Sequence, residues 1–298
     1  MNDVAIRVSE LRKSYRGRAA VDGLDLTVRR GEVFSLLGPN GAGKSTTVEI
    51  LEGYRSRDGG DVAVLGHDPA EATAEWKSRI GIVLQRVDDL AQSSELTVRE
   101  WVSSVAAYFP DPMRPDDAIE LVGLADKRDA RSSSLSGGQR RRLDVALGII
   151  GRPELLFLDE PTTGFDPEAR RQFWGLIESL ADAGTTILLT THYLDEAEHL
   201  ADRVGVIADG RMVEIGTPET LGGRGARTAR VSWSDADGPH ELRTDQPTAE
   251  VAALMQRFGG EVPELEVRRP SLEDIYLDLI GKATAADRAA VAIEAGAL

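Results

Sequence analysis

A glycine-rich run of nine residues has the pattern most able to do chemistry in this chain. These residues are Gly38, Pro39, Asn40, Gly41, Ala42, Gly43, Lys44, Ser45 and Thr46. They have the form G-x-x-x-x-G-K-[ST], and they lie between the apolar run at 33–37 and a segment with helical apolar spacing. A strand on one side and a helix on the other is the context in which this pattern binds phosphate. The run therefore predicts a phosphate-binding loop.

The residue types of this loop match what a bound phosphate requires. Glycine can adopt positive φ, which lets backbone N–H groups turn toward an anion. Lys44 adds a positive charge, and the helix that begins here presents its unpaired first-turn N–H groups to the same anion. The Ser45 hydroxyl is a suitable ligand for Mg²⁺. The alternative is a glycine-rich turn that opens a helix by coincidence, and it leaves the lysine and serine at this spacing unexplained.

A second pair of candidate residues follows the apolar run at 155–158. Asp159 ends this predicted strand, and Glu160 follows it directly. Hydrolysis of a nucleotide γ-phosphate needs a metal ligand and a group that positions or deprotonates water. We expect Asp159 to bind Mg²⁺ and Glu160 to act as the general base.

Three further candidates lie beside predicted strands. Gln85 follows the strand at 80–84 and can contact Mg²⁺ or the attacking water. His192 follows the strand at 185–190 and can contact the γ-phosphate. Tyr15 has basic neighbours and can stack on a nucleotide base. Single residues of these types are more often surface or core groups, so the three assignments depend on their occurrence with the other motifs.

Composition excludes several classes of function. The chain has 298 residues, of which 41% are hydrophobic, enough for one large domain and a small one. Its net charge of -15 would repel a nucleic-acid backbone, so we expect no nucleic-acid partner. It has no cysteine, which excludes disulfides and thiolate zinc sites.

The apolar segments of the chain are short. Residues 1–10 mix charged and apolar side chains and lack the apolar core of a signal peptide. The longest apolar stretches, such as 145–151, are well below the about 20 residues that cross a bilayer. We therefore expect any membrane role to come through a partner.

The order of the predicted elements indicates an α/β fold. Short alternating strands at 4–8 and 24–28 predict an antiparallel β subdomain. Helical apolar spacing at about 96–134, interrupted by prolines, predicts a helical subdomain. The strands at 204–208 and 212–215 flank an Asp-Gly turn and predict a hairpin.

A glycine- and arginine-rich joint at 222–227 predicts a domain boundary. We expect a first domain at 1–221 and a small α+β domain at 222–281. Within the second, the predicted strands are 229–233 and 261–267, and the predicted helices are 248–258 and 271–280. Ser271 is the expected N-cap of the last helix, with Asp274 at the capping-box position. The alanine-rich tail at 282–298 is expected to be frayed.

One further motif carries a family resemblance. Leu135 is followed by Ser136, Gly137, Gly138 and Gln139. This segment resembles the signature of the ATP-binding cassette (ABC) family, which other P-loop ATPases lack. The glycines let a backbone approach phosphate, and Ser136 can cap the following helix. The resemblance covers residues 4 to about 217 and implies a P-loop NTPase core.

The resemblance implies a role for each candidate residue. Tyr15 matches the base-stacking aromatic, and Gln85 matches the Q-loop glutamine. Asp159 and Glu160 match the Walker B pair, and His192 matches the switch histidine. The D-loop corresponds to 164–166, where a phenylalanine replaces the usual leucine.

The resemblance also implies cofactors and partners. In this family two cassettes enclose ATP, and the phosphate loop of one faces the signature of the other. ATP, Mg²⁺ and a second ABC ATPase subunit, identical or different, are therefore expected. The presence of both Glu160 and His192 argues against a regulatory module with an inactive site.

The C-terminal region narrows the resemblance. It ends in the segment 269–276, RPSLEDIY, and is similar to that of the ABC-2-type exporters related to daunorubicin-resistance ATPases. This implies a peripheral subunit at the cytoplasmic face of the membrane that pairs with a separate transmembrane permease and exports a drug, lipid or polymer. The alternative is a soluble ABC protein acting on ribosomes or nucleic acid. Such proteins usually carry two cassettes, a long coiled coil or basic patches. The sequence does not identify the cargo.

Overall fold

The computed structural model describes residues 3–84, 95–223 and 228–283. Contacts within the chain divide it into two compact units, Met1–Val213 and Glu214–Leu298. The domain boundary predicted from the sequence, after residue 221, lies a few residues beyond the division after Val213, and it stays a prediction. So does the tail at 282–298, most of which lies outside the described residues.

An antiparallel sheet begins the first unit. Its strands are β1 (Val4–Tyr15), β2 (Arg18–Arg29) and β4 (Gly59–Val64), in the order β2-β1-β4. Ile6 on β1 lies opposite Val28 on β2 and Val64 on β4, and all three are fully buried. The alternation of apolar and polar residues thus gives one buried face, and the predicted antiparallel β subdomain is confirmed.

The central sheet of the first unit has six strands in the order β5-β6-β7-β3-β8-β9. The strands are β3 (Val33–Leu37), β5 (Ile80–Val83), β6 (Leu155–Asp159), β7 (Thr186–Thr190), β8 (Arg203–Ala208) and β9 (Arg211–Gly216). The pairs from β5 to β8 are parallel. Parallel strands covered on both faces are nearly continuous apolar runs, and all five residues of β3 are buried, with Ser35 as its one polar residue. Parallel pairing brings the carboxyl ends of β3, β6 and β7 to one edge.

The turn between β8 and β9 has the predicted chemistry. Asp209 has φ 47° and Gly210 has φ 78°. Positive φ at both central residues is typical of the tight turns that match strand twist, and it explains the Asp-Gly pair. The predicted hairpin is confirmed.

The described part of the first unit also contains seven α-helices. They are α1 (Lys44–Leu51), α2 (Ala74–Ser78), α3 (Val98–Ala106), α4 (Pro115–Leu121), α5 (Gly137–Ile149), α6 (Pro167–Asp182) and α7 (Leu194–Leu200). Residues of α3 and α4 pack in one apolar cluster with residues of α5. Thr97 and Glu100 form a capping box at the start of α3, and α4 begins at Pro115. The predicted helical subdomain is confirmed.

The described residues of the second unit include a small antiparallel sheet and the helices α8 (Pro247–Phe258) and α9 (residues 272–283). The sheet contains β10 (Ala229–Asp235), β11 (Gly238–Thr244) and β12 (Glu266–Arg268), in the order β11-β10-β12. Val231, Trp233, Leu254 and Val262 form the buried core of this unit.

Two sequence-based predictions differ from the structure in the second unit. The strand β11 was not predicted, because its mostly polar residues show no clear apolar alternation. The predicted strand at 261–267 is reduced to Glu266–Arg268, since Pro263 cannot donate to a ladder. The capping box is confirmed: the Ser271 N–H donates to Asp274 Oδ2 at 2.9 Å, and the Asp274 N–H donates to Ser271 Oγ at 3.2 Å.

No helix in the described ranges combines the length and the apolar character needed to cross a membrane.

A buried carboxyl group lies at the end of α1. Glu52 is only 6% exposed. Burial raises the pKa of Glu52 to about 8, with smaller contributions from the carboxylates of Asp159 and Glu49. In the unfolded chain this pKa returns to its ordinary value of about 4.5. Between these two values the folded state binds more protons than the unfolded state, so the stability falls as pH rises.

The variant Glu52→Gln should remove this dependence. It keeps the size of the side chain but cannot ionise, so the free energy of unfolding should fall less between pH 6 and pH 8, about the upper half of the titration window. Urea unfolding at both pH values measures this, with exposed Glu75→Gln as the control. An equal pH dependence in wild type and Glu52→Gln would show that Glu52 is ionised in the folded protein.

Candidate functional site

A cavity of about 700 Å³ lies where the carboxyl ends of the central strands meet. Its lining residues are Tyr15, Ala20, Asn40, Gly41, Gly43, Lys44, Ser45, Thr46, Asp159, Glu160 and His192. This edge is the usual place for ligands in open α/β sheets. The structure thus brings together the glycine-rich loop, the acidic pair, the histidine and the tyrosine predicted from the sequence.

The glycine-rich loop connects β3 to α1 in a backbone conformation that needs glycine. Gly41 has φ 82° and Gly43 has φ 103°. A Cβ on Gly43 would lie 2.4 Å from the carbonyl oxygen of Ala20, which is too close. The requirement at Gly43 is therefore both conformational and steric.

Lys44, the first residue of α1, lies under this loop. Its Nζ donates to the carbonyl oxygens of Gly38 at 2.6 Å and Pro39 at 3.1 Å. The residue is 9% exposed. Burial lowers the pKa of Lys44, and the carboxylates of Glu160 and Asp159 oppose this effect. The ammonium group is thus held between loop carbonyls and the acidic pair.

The acidic pair is fixed by the neighbouring strand β7. The Thr190 hydroxyl donates to Asp159 Oδ1, and the Glu160 N–H donates to the Thr190 carbonyl oxygen at 3.0 Å. Glu160 has φ 44°, which is uncommon for a residue other than glycine. Strand pairing across β6 and β7 therefore determines where both carboxylates lie.

His192 contacts Glu160 directly. His192 Nδ1 lies 3.3 Å from Glu160 Oε2, and the Thr163 hydroxyl lies 3.3 Å from the same oxygen. The Glu160 side chain is 17% exposed, whereas that of His192 is 46% exposed. The histidine therefore lies on the solvent side of the carboxylate.

Tyr15 lies at the outer part of the cavity. The residue is 39% exposed, and two cationic groups lie near its ring. The guanidinium carbon of Arg55 lies 5.4 Å from the ring centroid, and Lys13 Nζ lies 5.6 Å from it. An exposed aromatic ring with adjacent cations is suited to stacking on a base.

The signature segment has a different setting. Ser136 caps α5: its hydroxyl accepts from the Gln139 N–H at 3.3 Å, and Gln139 Oε1 accepts from the Ser136 N–H at 3.0 Å. A Cβ on Gly137 would meet no atom within 4 Å. These residues do not line the cavity of their own chain, and their surface is open.

The remaining positions singled out in the sequence are Gln85 and Phe165. Gln85 lies outside the described residues, so its assignment stays a prediction. Phe165, in the place of the usual D-loop leucine, packs edge-on against Phe173 with 5.7 Å between ring centroids. The larger side chain is therefore accommodated against α6.

Sequence reasoning missed residues that hold the site together. Thr190 is 1% exposed and contacts both members of the acidic pair. Glu196 on α7 is fully buried, and the Trp174 indole donates to its Oε1 at 3.3 Å. A threonine at the end of an apolar strand is a usable signal. The Glu196 position has no such signal, because acidic residues are common in first turns of exposed helices.

Comparison with known proteins identifies the family. The family model described as ABC transporter matches residues 21–163. The daunorubicin/doxorubicin resistance ATP-binding protein DrrA of Streptomyces peucetius is 39% identical over 305 residues, covering 93% of this chain and 92% of that protein. The Nod factor export ATP-binding protein I of Rhizobium meliloti (strain 1021) is 38% identical, covering 94% and 89%.

A solved structure agrees with these relatives. CbiO1 from Clostridium perfringens, part of the ABC transporter complex CbiONQ, is 30% identical and superposes with a TM-score of 0.64. The match covers 73% of this chain and 90% of CbiO1. The predicted α/β P-loop NTPase fold is confirmed. The chain therefore belongs to the ABC transporter family, as one of its ATP-binding and ATP-hydrolysing proteins.

Proposed function

We propose that this protein is the ATPase subunit of an exporter, and that it dimerises around two ATP molecules to drive a separate transmembrane permease. The contact between Glu160 and His192, in one cavity with the glycine-rich loop, is the observation that carries the ATPase assignment. Support for export comes from relatives named for drug resistance and Nod factor export.

ATP binding is assigned to the loop and to Tyr15. The N–H groups of 40–46, which include the first turn of α1, surround the phosphates, and Lys44 Nζ leaves its carbonyl partners to contact them. Tyr15 stacks on the adenine ring, where its exposed face lies in the cavity. The base and the phosphates then occupy opposite parts of one site.

Mg²⁺ is assigned to Ser45, Asp159 and Gln85. The Ser45 hydroxyl and the Asp159 carboxylate line the same cavity, and oxygen atoms of these kinds are the ligands that Mg²⁺ prefers. The described residues thus fit the ion. When bound it neutralises charge on the β- and γ-phosphates.

Hydrolysis is assigned to Glu160 and His192. Glu160 accepts a proton from water as the water oxygen bonds to the γ-phosphorus and the bond to ADP breaks. The His192 ring donates a hydrogen bond to the γ-phosphate and stabilises the charge that develops there. Their 3.3 Å contact supports this pairing of one water with one phosphate oxygen.

The second half of each site is assigned to a second subunit. Ser136, Gly137, Gly138 and Gln139 lie at the N-terminal end of α5, with open space at Gly137. A helix N-terminus with a backbone free of Cβ atoms is suited to an incoming γ-phosphate. The signature of one subunit therefore completes the site of the other.

The permease contact is assigned to an apolar groove on the first unit. The groove of about 400 Å³ is lined by Tyr54, Ile82, Phe109 and Leu147 among others. Tyr54 is 79% exposed, an unusual setting for a large aromatic side chain. We assign it to a cytoplasmic segment of the permease, which places the subunit at the cytoplasmic face of the membrane. The cargo class is a drug, lipid or other hydrophobic or polymeric compound.

Lys44→Ala should lose nucleotide affinity. The lysine supplies a charge-assisted contact to phosphate, and such contacts contribute about 1.5–3 kcal/mol. We expect ATP binding to weaken by roughly ten-fold to a hundred-fold, measured by calorimetry. Lys127→Ala, on the helical subdomain, is the control. Unchanged affinity in Lys44→Ala would remove this lysine from the phosphate site.

Glu160→Gln should retain ATP and lose hydrolysis. The glutamine keeps the shape but cannot accept the proton, so kcat should fall by about a hundred-fold to ten-thousand-fold. Phosphate release and ATP binding are measured on the same protein, with exposed Glu120→Gln as the control. Hydrolysis at the wild-type rate would contradict the assignment of the base.

Ile82→Asp should disrupt the permease contact without affecting hydrolysis by the isolated subunit. Ile82 is 37% exposed in the groove, and Leu121, 39% exposed, lies outside it. Tagged proteins carrying Glu160→Gln are purified with ATP from detergent-solubilised host membranes, and co-purifying proteins are identified. We expect a multi-helix membrane protein with Leu121→Asp but not with Ile82→Asp. Recovery with ribosomes or nucleic-acid proteins instead would favour a non-transport ABC ATPase.

A further inference from the structure

Arg141 is a buried cation that the assignments above leave without a role. It lies on α5, five positions after Ser136, and is 8% exposed. Its guanidinium donates to three backbone carbonyl oxygens: from Nε to Pro161 at 3.0 Å, from Nη2 to Asp159 at 2.7 Å, and from Nη1 to Leu84. All three nitrogen atoms are therefore engaged by backbone of other elements.

The hydrogen-bond partners of Arg141 lie at the ends of two parallel strands. The ladder between β5 and β6 runs to the pair Val83 and Leu158. Leu84 and Asp159 follow this pair in the chain, and the guanidinium donates to the carbonyl oxygens of both. Arg141 thus continues the hydrogen bonding of the two strands beyond their last pair, and it adds Pro161 on the loop that follows.

A buried guanidinium is costly unless fixed acceptors compensate it. Burial lowers the pKa of Arg141, and the carboxylates of Asp144, Asp159 and Glu196 oppose this effect. A planar fork of N–H donors matches several carbonyl oxygens at fixed positions, which a lysine cannot do. The three hydrogen bonds therefore fix the positions of the carbonyl oxygens as well as that of the arginine.

We infer that Arg141 is a positioning residue that holds the backbone on both sides of Glu160 and joins it to the signature helix of the same chain. Glu160 lies between Asp159 and Pro161, whose carbonyl oxygens Arg141 binds. Glu160 itself has φ 44°, and a strained residue keeps its conformation only where its surroundings over-determine it. Arg141 supplies this constraint from the α5 side, and Thr190 supplies it from the β7 side.

The connection has a consequence for the two-site enzyme. The helix that carries Arg141 begins at Ser136, the residue assigned to the ATP of the partner subunit. A displacement of α5 on ATP binding reaches the backbone of Glu160 through the Arg141 side chain and its two hydrogen bonds to the Asp159 and Pro161 carbonyl oxygens. Each subunit thereby aligns its own base when its signature engages the other nucleotide. This inference rests on the proposed roles of Glu160 and the signature.

The adjacent arginine provides a matched control. Arg142 Nη2 donates to Gln172 Oε1 at 2.5 Å, and its Nη1 lies 3.5 Å from the Val122 carbonyl oxygen. These partners belong to α6 and to the residue that follows α4, and neither lies at the strand ends. Arg142→Lys is therefore a matched control for Arg141→Lys. It makes the same substitution on α5 without affecting the hydrogen bonds to the strand ends.

Arg141→Lys keeps the charge but cannot reach three carbonyl oxygens together. Because a misplaced catalytic group costs up to about a hundred-fold in rate, we expect kcat to fall by roughly ten-fold to a hundred-fold. Nucleotide affinity measured without Mg²⁺ should not change, since the loop and Lys44 are intact. Amide exchange within 159–163, followed by mass spectrometry, should be faster in Arg141→Lys than in wild type. Arg142→Lys should match wild type in all these measurements.

A double-mutant cycle tests whether Arg141 acts through Glu160. In the Glu160→Gln background, Arg141→Lys should cause no further loss of kcat, because the group it positions is already absent. The same fold-loss in both backgrounds, or a raised KM with unchanged kcat, would overturn the inference. If Arg141→Lys does not fold, Arg141→Gln, which keeps two N–H donors, replaces it in the cycle. Wild-type hydrolysis by Glu160→Gln alone would instead overturn the proposed base.

Discussion

Parallel pairing of β3, β6 and β7 is the constraint on which the site depends. It brings three carboxyl ends to one edge, and each end continues directly into a functional segment. Gly38 follows β3, Glu160 follows β6, and His192 lies two residues after β7. Because these strands pair in a fixed register, the positions of the side chains that follow them are fixed as well.

The hydrogen bonds at this edge make the site a single unit. Thr190 at the end of β7 binds the carboxylate of Asp159 and the N–H of Glu160. Arg141, on α5, binds the carbonyl oxygens on both sides of Glu160. The base therefore lies between two elements that are themselves fixed. Because its position is already fixed, the carboxylate does not have to move before it accepts a proton from the attacking water.

Local patterns explain which parts of the molecule could be predicted. The glycine-rich loop, the acidic pair after an apolar strand and the signature are defined by residues next to each other in the chain, so local pattern identified the first two and family resemblance the third. The roles of Thr190 and Arg141 depend on partners far away in sequence, and no local pattern reports those. The sequence did not predict the strand β11 for a related reason. Its pairing with β10 compensates for a polar sequence that gives no apolar alternation.

The central claim is that the cavity beside Glu160 is where ATP is hydrolysed, completed by a second subunit. A structure of Glu160→Gln with ATP and Mg²⁺ tests it most directly. We predict two chains with two ATP molecules, each γ-phosphate within hydrogen-bond reach of His192 of one chain and Ser136 of the other. A γ-phosphate bound away from residue 160 and His192, or a fully enclosed ATP in a single chain, would contradict the account.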